Sequence, residues 1–221
     1  MDDPALDPVA HQGALRGLAR LNYFSRSLRL IWQPIRQFYT RNPRELRVLD
    51  IATGAGDLPI GLAKFAQQAG VPLKISACDM SPRALDFAAQ RAQSERIQID
   101  FFRLNALQDP IPAGFDIVLS SLFLHHLEEA EALAFLSNLK SSGCKLIVLN
   151  DLKRSRSGLW LAWLASRLLC QSPVVHADAL KSAQGAFTKE EALCLAQKAC
   201  LENVRIQSRW PCRFVLTAGA Q

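Results

Sequence analysis

The sequence predicts an α/β protein with a mostly parallel sheet, helices on both faces of that sheet, and an N-terminal helical cap. Short β-rich runs alternate with helical segments between residues 47 and 149, and a glycine-rich turn follows the first of these runs. Such alternation is typical of right-handed βαβ units, whose parallel strands are covered by helices on both sides. The length of 221 residues suits one domain of this class.

Residues 10–40 are predicted to be helical, because apolar residues recur there at spacings of three and four. Asn42-Pro43 ends that pattern. We therefore expect a helical cap over residues 1–45 and a second domain over residues 46–221. In the second domain the predicted strands are 47–51, 74–79, 98–103, 115–120 and 145–149, and the predicted helices are 58–68, 81–94 and 130–140.

The C-terminal part is predicted to add helices and an antiparallel hairpin. An apolar helix around Trp160 precedes an irregular stretch, residues 171–187, which is either a lid or a surface loop. Thr188-Lys-Glu-Glu191 is a capping box that opens a helix to residue 200. Two β-rich runs, 204–210 and 213–217, flank Pro211-Cys212 and predict a pair that adds an antiparallel strand to the sheet.

Composition and charge argue against several classes of function. The net charge is +6, but the basic residues form no run, so no nucleic-acid partner is expected. No apolar stretch approaches the ~20 residues of a membrane span, and the acidic N-terminus predicts no signal peptide. The six cysteines form no C-x-x-C pair, so we expect no metal site and a reducing, cytoplasmic location.

The turn after the first strand, Asp50-Ile-Ala-Thr-Gly-Ala-Gly-Asp57, stands where α/β folds bind nucleotides. A dinucleotide site needs a small residue three places after the second glycine, and this chain has Pro59 there. Asp57 would also repel a pyrophosphate at the helix N-terminus. The turn therefore disfavours NAD and suits a ligand that carries positive charge.

Two later strand ends carry polar residues of the kind that bind nucleosides. Asp79 ends the second strand, where a carboxylate accepts hydrogen bonds from ribose hydroxyls, although it would also cap the next helix. Asn105-Ala106 follows the third strand, where the amide suits an adenine edge or an ordinary turn.

These segments, together with residues 115–127, resemble the successive motifs of class I S-adenosylmethionine (SAM)-dependent methyltransferases. The Gly-x-Gly-Asp-Leu variant and Leu21-Asn-Tyr-Phe-Ser25 resemble the branch of the menaquinone and ubiquinone methyltransferases. The resemblance implies a seven-stranded Rossmann-like sheet and SAM as the cofactor. It implies a cofactor site in which the methionine part lies near Asp50, Gly54, Gly56 and Asp57, the ribose near Asp79 and adenine near Asn105 and Ala106; the predicted site further includes Thr53, Leu58, Met80 and Ser121.

The acceptor side is predicted after the fourth and fifth strands. His125 and His126 follow the fourth strand, and a histidine there suits a general base for a phenol, although such a pair is also found in purely structural roles. Asp151 follows the predicted fifth strand and is a third catalytic candidate. Residues 150–155, 186–188 and 210–211 resemble small methyltransferases found beside type III polyketide synthases, which implies a phenolic or quinonoid lipid and secondary metabolism.

The sequence thus predicts a SAM-dependent O-methyltransferase of a small aromatic, lipophilic acceptor. Ring C-methylation of a phenol or quinone precursor is the nearest alternative, because it uses the same site. A methyltransferase-fold protein that binds SAM without catalysis is the alternative of another class. We expect a small molecule as the partner, no nucleic acid or integral membrane contact, and a monomer or a homodimer.

Overall fold

The computed structural model describes residues 27–161 and 181–219. The helices are α1 (Ser27–Arg41), α2 (Asp57–Ala69), α3 (Pro82–Ser94), α4 (Glu129–Ser141) and α5 (Lys189–Lys198), and a single 3₁₀ turn covers Leu124–His126. The strands are β1 (Leu46–Ile51), β2 (Leu73–Asp79), β3 (Asp100–Arg103), β4 (Ile117–Ser121), β5 (Leu146–Leu152), β6 (Arg205–Arg209) and β7 (Arg213–Gly219). Residues 156–161 and 181–185 are also helical.

All seven strands form one sheet in the order β3-β2-β1-β4-β5-β7-β6. The first five are parallel to one another, whereas β7 runs antiparallel to both β5 and β6. The predicted Rossmann-like class and the C-terminal hairpin are both confirmed. The helix predicted over residues 10–26 and most of the predicted lid lie outside the described residues.

Apolar side chains cover both faces of the sheet. Helices α1, α2 and α3 pack on one face, against Val48, Leu119 and Val148, and α4 and α5 pack on the other, against Leu49 and Leu149. Within α1, Ile31, Ile35 and Phe38 recur at helical spacing and are buried, so this helix contributes to the core of the sheet. Whether residue 45 marks a domain boundary stays a prediction.

Strand β5 extends further than the sequence predicts. The apolar run ends at Leu149, but pairing with β7 carries the strand through Asp151 and Leu152, which lie opposite Phe214 and Arg213. Asn150 and Asp151 therefore lie inside a strand, and alternation directs their side chains to opposite faces of the sheet. None of the helices among the described residues is long and apolar enough to cross a membrane.

Candidate cofactor and acceptor site

The site is built at the carboxyl ends of β1 and β4, which are neighbours in the sheet although β2 and β3 lie between them in sequence. Ligands of open α/β sheets bind where the strand order reverses in this way. Ala52 follows β1 with φ +57° and Leu122 follows β4 with φ +60°, both in the left-handed region that side chains disfavour. Two positions of strained backbone thus flank the reversal point, and such strain is common at functional sites.

The two glycines of the first turn have different roles. A Cβ on Gly54 would meet no protein atom within 4 Å, so this residue borders open space. A Cβ on Gly56 would lie 2.9 Å from the Cβ of Ala88 in α3, so this residue permits the loop to pack against that helix. Both have positive φ, 54° and 75°. Gly54 therefore shapes the cavity side of the loop and Gly56 its protein side.

Arg91 of α3 contacts the glycine-rich loop and stabilises it, a role that no local sequence signal indicates. Its Nη1 donates to the carbonyl oxygen of Ala55, at 2.8 Å, and to the carboxylate of Asp57. The carboxylate that was expected beside the methionine part of the cofactor is thus engaged with a cation of the protein. We infer that Asp57 holds the loop in shape.

Asp50 is buried at the end of β1, with 2% of its surface exposed, and its Oδ2 accepts a hydrogen bond from Thr53 Oγ1 at 2.7 Å. Burial raises the pKa of Asp50 to about 7, the Thr53 hydrogen bond opposes that rise, and the nearby Asp79 charge adds to it. A cation bound beside these two carboxylates would favour the ionised form of Asp50.

Asp79 joins the loop to the next helix. Its Oδ2 accepts from the backbone N–H of Gly54 at 2.8 Å, and its Oδ1 accepts from the N–H of Ser81 at 2.9 Å. Ser81 is itself the N-cap of α3, where its Oγ accepts from Ala84 N. A carboxylate oxygen accepts more than one hydrogen bond, so each oxygen of Asp79 retains capacity for a ribose hydroxyl.

The residues predicted at the adenine end are less distinctive. Asn105 uses its Oδ1 to accept from Leu107 N at 3.1 Å, which is the ordinary turn role. Ala106 is buried, and Asn138 Nδ2 donates to its carbonyl oxygen. Leu58 is half-buried and Met80 is 60% exposed, which is unusual for a large apolar side chain. Their contacts with adenine stay predictions.

His125 and Asp151 form a buried pair where β4 and β5 end. His125 Nδ1 lies 2.6 Å from Asp151 Oδ1, and both side chains are at most 5% exposed. The other carboxylate oxygen, Oδ2, accepts from the backbone N–H groups of Phe123 and Leu124. Burial alone would raise the pKa of Asp151, but His125 and the hydrogen bonds outweigh it and lower the pKa below its usual value.

His126 differs from His125 in its surroundings. It is exposed, and its ring centroid lies 4.1 Å from that of His125. Both histidines border a polar cleft of about 600 Å³ on the α4 and α5 side of the sheet, which Arg154, Phe187 and Glu191 also line. The cleft brings solvent close to the buried pair.

Ser121, predicted in the cofactor site, lies beside the acceptor candidates as well. It pairs with Asn150 in the sheet register, and Asn150 Nδ2 donates to its Oγ at 2.8 Å. Arg213, which the sequence did not single out, is buried at the start of β7. Only the long-range pairing of β5 with β7 places it at this edge.

The donor set fits SAM. Open space borders Gly54, and Asp50 and Asp79 supply acceptors and negative charge to a sulfonium, an ammonium and two ribose hydroxyls. Among the residues described, no group of histidine, cysteine and acidic side chains is arranged to hold a metal ion.

Comparison with known proteins agrees with this geometry. Residues 48–142 match the family model of a methyltransferase domain. A demethylmenaquinone methyltransferase of Deinococcus radiodurans is 34% identical over 145 residues, which are 64% of this chain and 57% of that protein. The residues from 48 to 142 thus form a methyltransferase domain of the class I, SAM-dependent type, as the motifs predicted. The chain spans about half the length of the curated relatives that it matches.

Solved structures share the fold at low identity. Magnesium protoporphyrin IX methyltransferase from Synechocystis, crystallised with S-adenosylhomocysteine (SAH), superposes with a TM-score of 0.61 at 17% identity, over 99% of this chain and 90% of that one. Human N-acetylserotonin methyltransferase, in complex with SAM, gives a TM-score of 0.58 at 17% identity, over 79% of this chain and 47% of that one. These likenesses support the fold and leave the acceptor open.

Alanine substitutions at the two glycines should have different effects, on stability at Gly56 and on SAM affinity at Gly54. We expect Gly56→Ala to destabilise the protein by about 2–3 kcal/mol, because the new Cβ meets Ala88 at 2.9 Å. Gly54→Ala should cost only about 1 kcal/mol of backbone strain but weaken SAM binding at least about tenfold, because its Cβ enters the open space. Urea unfolding and calorimetric titration with SAM measure the two effects.

Ala88→Gly is the matched control. Combined with Gly56→Ala it removes the clashing Cβ, so the double variant should recover stability that the single Gly56 variant loses, beyond the cost of a glycine in α3. Equal stability losses for Gly54→Ala and Gly56→Ala would contradict the assignment.

Proposed function

We propose that the chain is a SAM-dependent O-methyltransferase that acts on a small aromatic hydroxyl compound, with His125 as the general base. The observation that supports this most directly is the buried His125–Asp151 pair at the ends of β4 and β5, in a chain whose residues 48–142 match a methyltransferase domain. A methyltransferase that only positions its acceptor does not need an oriented histidine. A phenol, which ionises near pH ~10, gains from one.

Asp50, Gly54 and Asp79 would hold SAM, with Gly56, Asp57 and Arg91 shaping the loop behind them. When bound, SAM supplies an electrophilic methyl group on a sulfonium whose departure leaves a neutral thioether. The chain's contribution is to orient the acceptor in line with that bond and to exclude water.

The His125–Asp151 pair sets the direction of proton transfer. The ionised Asp151 carboxylate accepts from Nδ1–H of His125, which leaves Nε2 with a lone pair. Nε2 takes the proton of the acceptor hydroxyl as the new carbon–oxygen bond forms. The resulting imidazolium is stabilised by the Asp151 charge, and its proton leaves toward the polar cleft that both histidines border.

Ring C-methylation is the second candidate, favoured by the similarity to a demethylmenaquinone methyltransferase. It would use the same base, since removing the hydroxyl proton also activates the ring carbon. Incubation of phenols and hydroquinones with methyl-labelled SAM, followed by NMR of the product, separates the two. A methoxyl signal supports O-transfer, a ring-methyl signal supports C-transfer, and SAM binding without any labelled product would support a non-catalytic protein.

SAM binding should depend on pH through Asp50. Because the pKa of Asp50 is raised to about 7 in the free protein and a bound cation lowers it, binding releases a proton. We expect affinity to rise with pH up to about 7, by up to tenfold per pH unit, and then to level off. Calorimetry in buffers of different ionisation enthalpy measures both affinity and proton release.

Asp50→Asn is the control for this effect, because an amide oxygen preserves the hydrogen bond from Thr53 while removing the titration. The variant should bind SAM more weakly above pH 7 and show no proton release near that pH. An unchanged pH profile in Asp50→Asn would assign the titration to another group.

A further inference from the structure

A buried arginine at the start of β7 lacks a hydrogen-bond partner for one of its nitrogens. Arg213 is 5% exposed, and no described residue accepts from its Nη1. Burial lowers the pKa of Arg213 to about 10, opposed by the nearby Asp151 charge, so the guanidinium is cationic at neutral pH. Folded proteins rarely retain a buried cation with an unsatisfied donor unless the group has a further role.

A second unsatisfied group lies beside it. Asn150 is fully buried and donates through Nδ2 to Ser121, but its Oδ1 accepts from none of the described residues. In the register of β5 and β7, Asn150 lies opposite Val215 and Leu152 lies opposite Arg213. Opposite residues share a face, as do alternate residues of one strand, so Asn150 and Arg213 lie on the same face.

That face leads to the glycine-rich loop. Ser121 lies opposite Asn150, and Asp50 lies opposite Leu119, two residues before Ser121. A row of polar side chains therefore crosses four neighbouring strands at the carboxyl ends of the parallel strands. Its order is Asp50, Ser121, Asn150, Arg213. The row joins the predicted methionine end of the cofactor site to the two unsatisfied groups, through a face otherwise covered by apolar residues.

We propose that Arg213 and Asn150 bind a second oxygen of the acceptor, distinct from the oxygen that is methylated. This inference rests on the proposed function. Arg213 Nη1 donates to a hydroxyl or carbonyl oxygen, and a hydroxyl at this place also donates to Asn150 Oδ1. The acceptor class is then a dihydroxylated or hydroxycarbonyl aromatic compound rather than a simple phenol.

The end of β5 explains how the methylated oxygen and the second oxygen of the acceptor can be bound at the same time. Asp151 lies on one face with His125, whereas Asn150 lies on the other with Arg213. An aromatic ring across the edge of the sheet would present one oxygen to His125 and another to Arg213. The chain distinguishes the two oxygens because one side supplies a base and the other a fixed cation.

The test uses dihydroxybenzenes with hydroxyls in ortho, meta or para positions and the monohydroxy phenol with the same alkyl chain. Binding in the presence of SAH is followed by calorimetry, and kcat/KM is measured with SAM. We expect the best dihydroxy compound to exceed the phenol by about 10- to 100-fold, the effect of a hydrogen bond to a charged group. Arg213→Met should reduce that ratio to near one, through a loss of kcat/KM for the dihydroxy compound.

Stability provides a readout that does not depend on activity. If Arg213 serves a ligand, Arg213→Met leaves thermal stability unchanged or raises it, because a buried, incompletely satisfied cation is removed. If Arg213 is structural, the variant loses several degrees of Tm. Arg44→Met is the matched control, since that half-exposed arginine pairs with Asp116 at the amino end of β4, away from the site, and should leave the substrate ratio unchanged.

The outcomes separate the two proposals. Methylated phenols without any preference for a second oxygen, or a marked loss of Tm in Arg213→Met, would overturn the Arg213 subsite and leave the methyltransferase proposal standing. Absence of methylated product from every compound would overturn the proposed function, and equal binding of the dihydroxy compounds and the phenol in the presence of SAH would then overturn the subsite as well.

Discussion

Replacing His125 by Asn should lower kcat for a phenolic acceptor by about 10²–10⁴-fold, the usual contribution of a positioned general base. SAM affinity should change by less than about threefold, because the residues that we propose hold SAM, Asp50, Gly54 and Asp79, belong to β1, the loop after β1, and β2. Turnover measured over a range of pH provides the decisive readout. The loss should shrink at alkaline pH, where the acceptor ionises without help.

The neighbouring histidine provides a matched control. His126 is exposed and its ring lies tilted against that of His125, so His126→Asn makes the same substitution at the adjacent position without removing the His125–Asp151 pair. We expect it to reduce kcat by less than about fivefold. Equal losses in the two variants, or full activity in His125→Asn, would show that the pair acts only in packing, as at many strand ends.

Asp151→Asn should be the most destabilising conservative change in the site. Asp151 Oδ2 accepts from Phe123 N and Leu124 N, and Oδ1 accepts from Leu152 N and faces His125 Nδ1. Whichever way an amide is turned, its NH₂ group faces donors. The lost and unsatisfied hydrogen bonds predict a destabilisation of about 2–4 kcal/mol in urea unfolding, together with lower kcat.

The pH dependence of that loss has a defined sign. Because the pKa of Asp151 is lowered on folding, its stabilising contribution is present above the unfolded pKa of about 4 and disappears as the pH falls through the folded value. The difference in the free energy of unfolding between the wild type and Asp151→Asn should therefore become smaller at acidic pH. Asp109→Asn is the control, since that exposed carboxylate accepts one backbone N–H, from Asn105, and should cost less than about 1 kcal/mol.

The parallel part of the sheet was predictable because its signals are local. Apolar runs, the Ser81-Pro82 helix start and the Thr188 capping box each act within a few residues, and the observed elements match them closely. The extension of β5 to Leu152 was not predictable in this way. It depends on hydrogen bonds to β7, more than 60 residues further along the chain.

The predicted cofactor site likewise contains features with local sequence signals and one contact without any. The loop from Asp50 to Asp57 and the strand end at Asp79 were predicted as cofactor residues from their position after predicted strands. Arg91 was missed, because its contact with Asp57 spans 34 residues and arginine on a helix is ordinarily a solvated charge. The ion pair of Asp57 with Arg91 was not foreseen for the same reason, and the cofactor contact of Asp57 stays a prediction.

The sequence by itself determined the α/β class, the glycine-rich turn that disfavours NAD, and the motifs of a methyltransferase domain over residues 48–142, because each depends on residue types at short spacings. Only the tertiary structure decided which partners the buried polar groups have. It paired His125 with Asp151 on one face of the sheet and placed Asn150 and Arg213, each with an unsatisfied atom, on the other. The physical reason is that strand alternation and long-range pairing, rather than local spacing, set the surroundings of a buried charge.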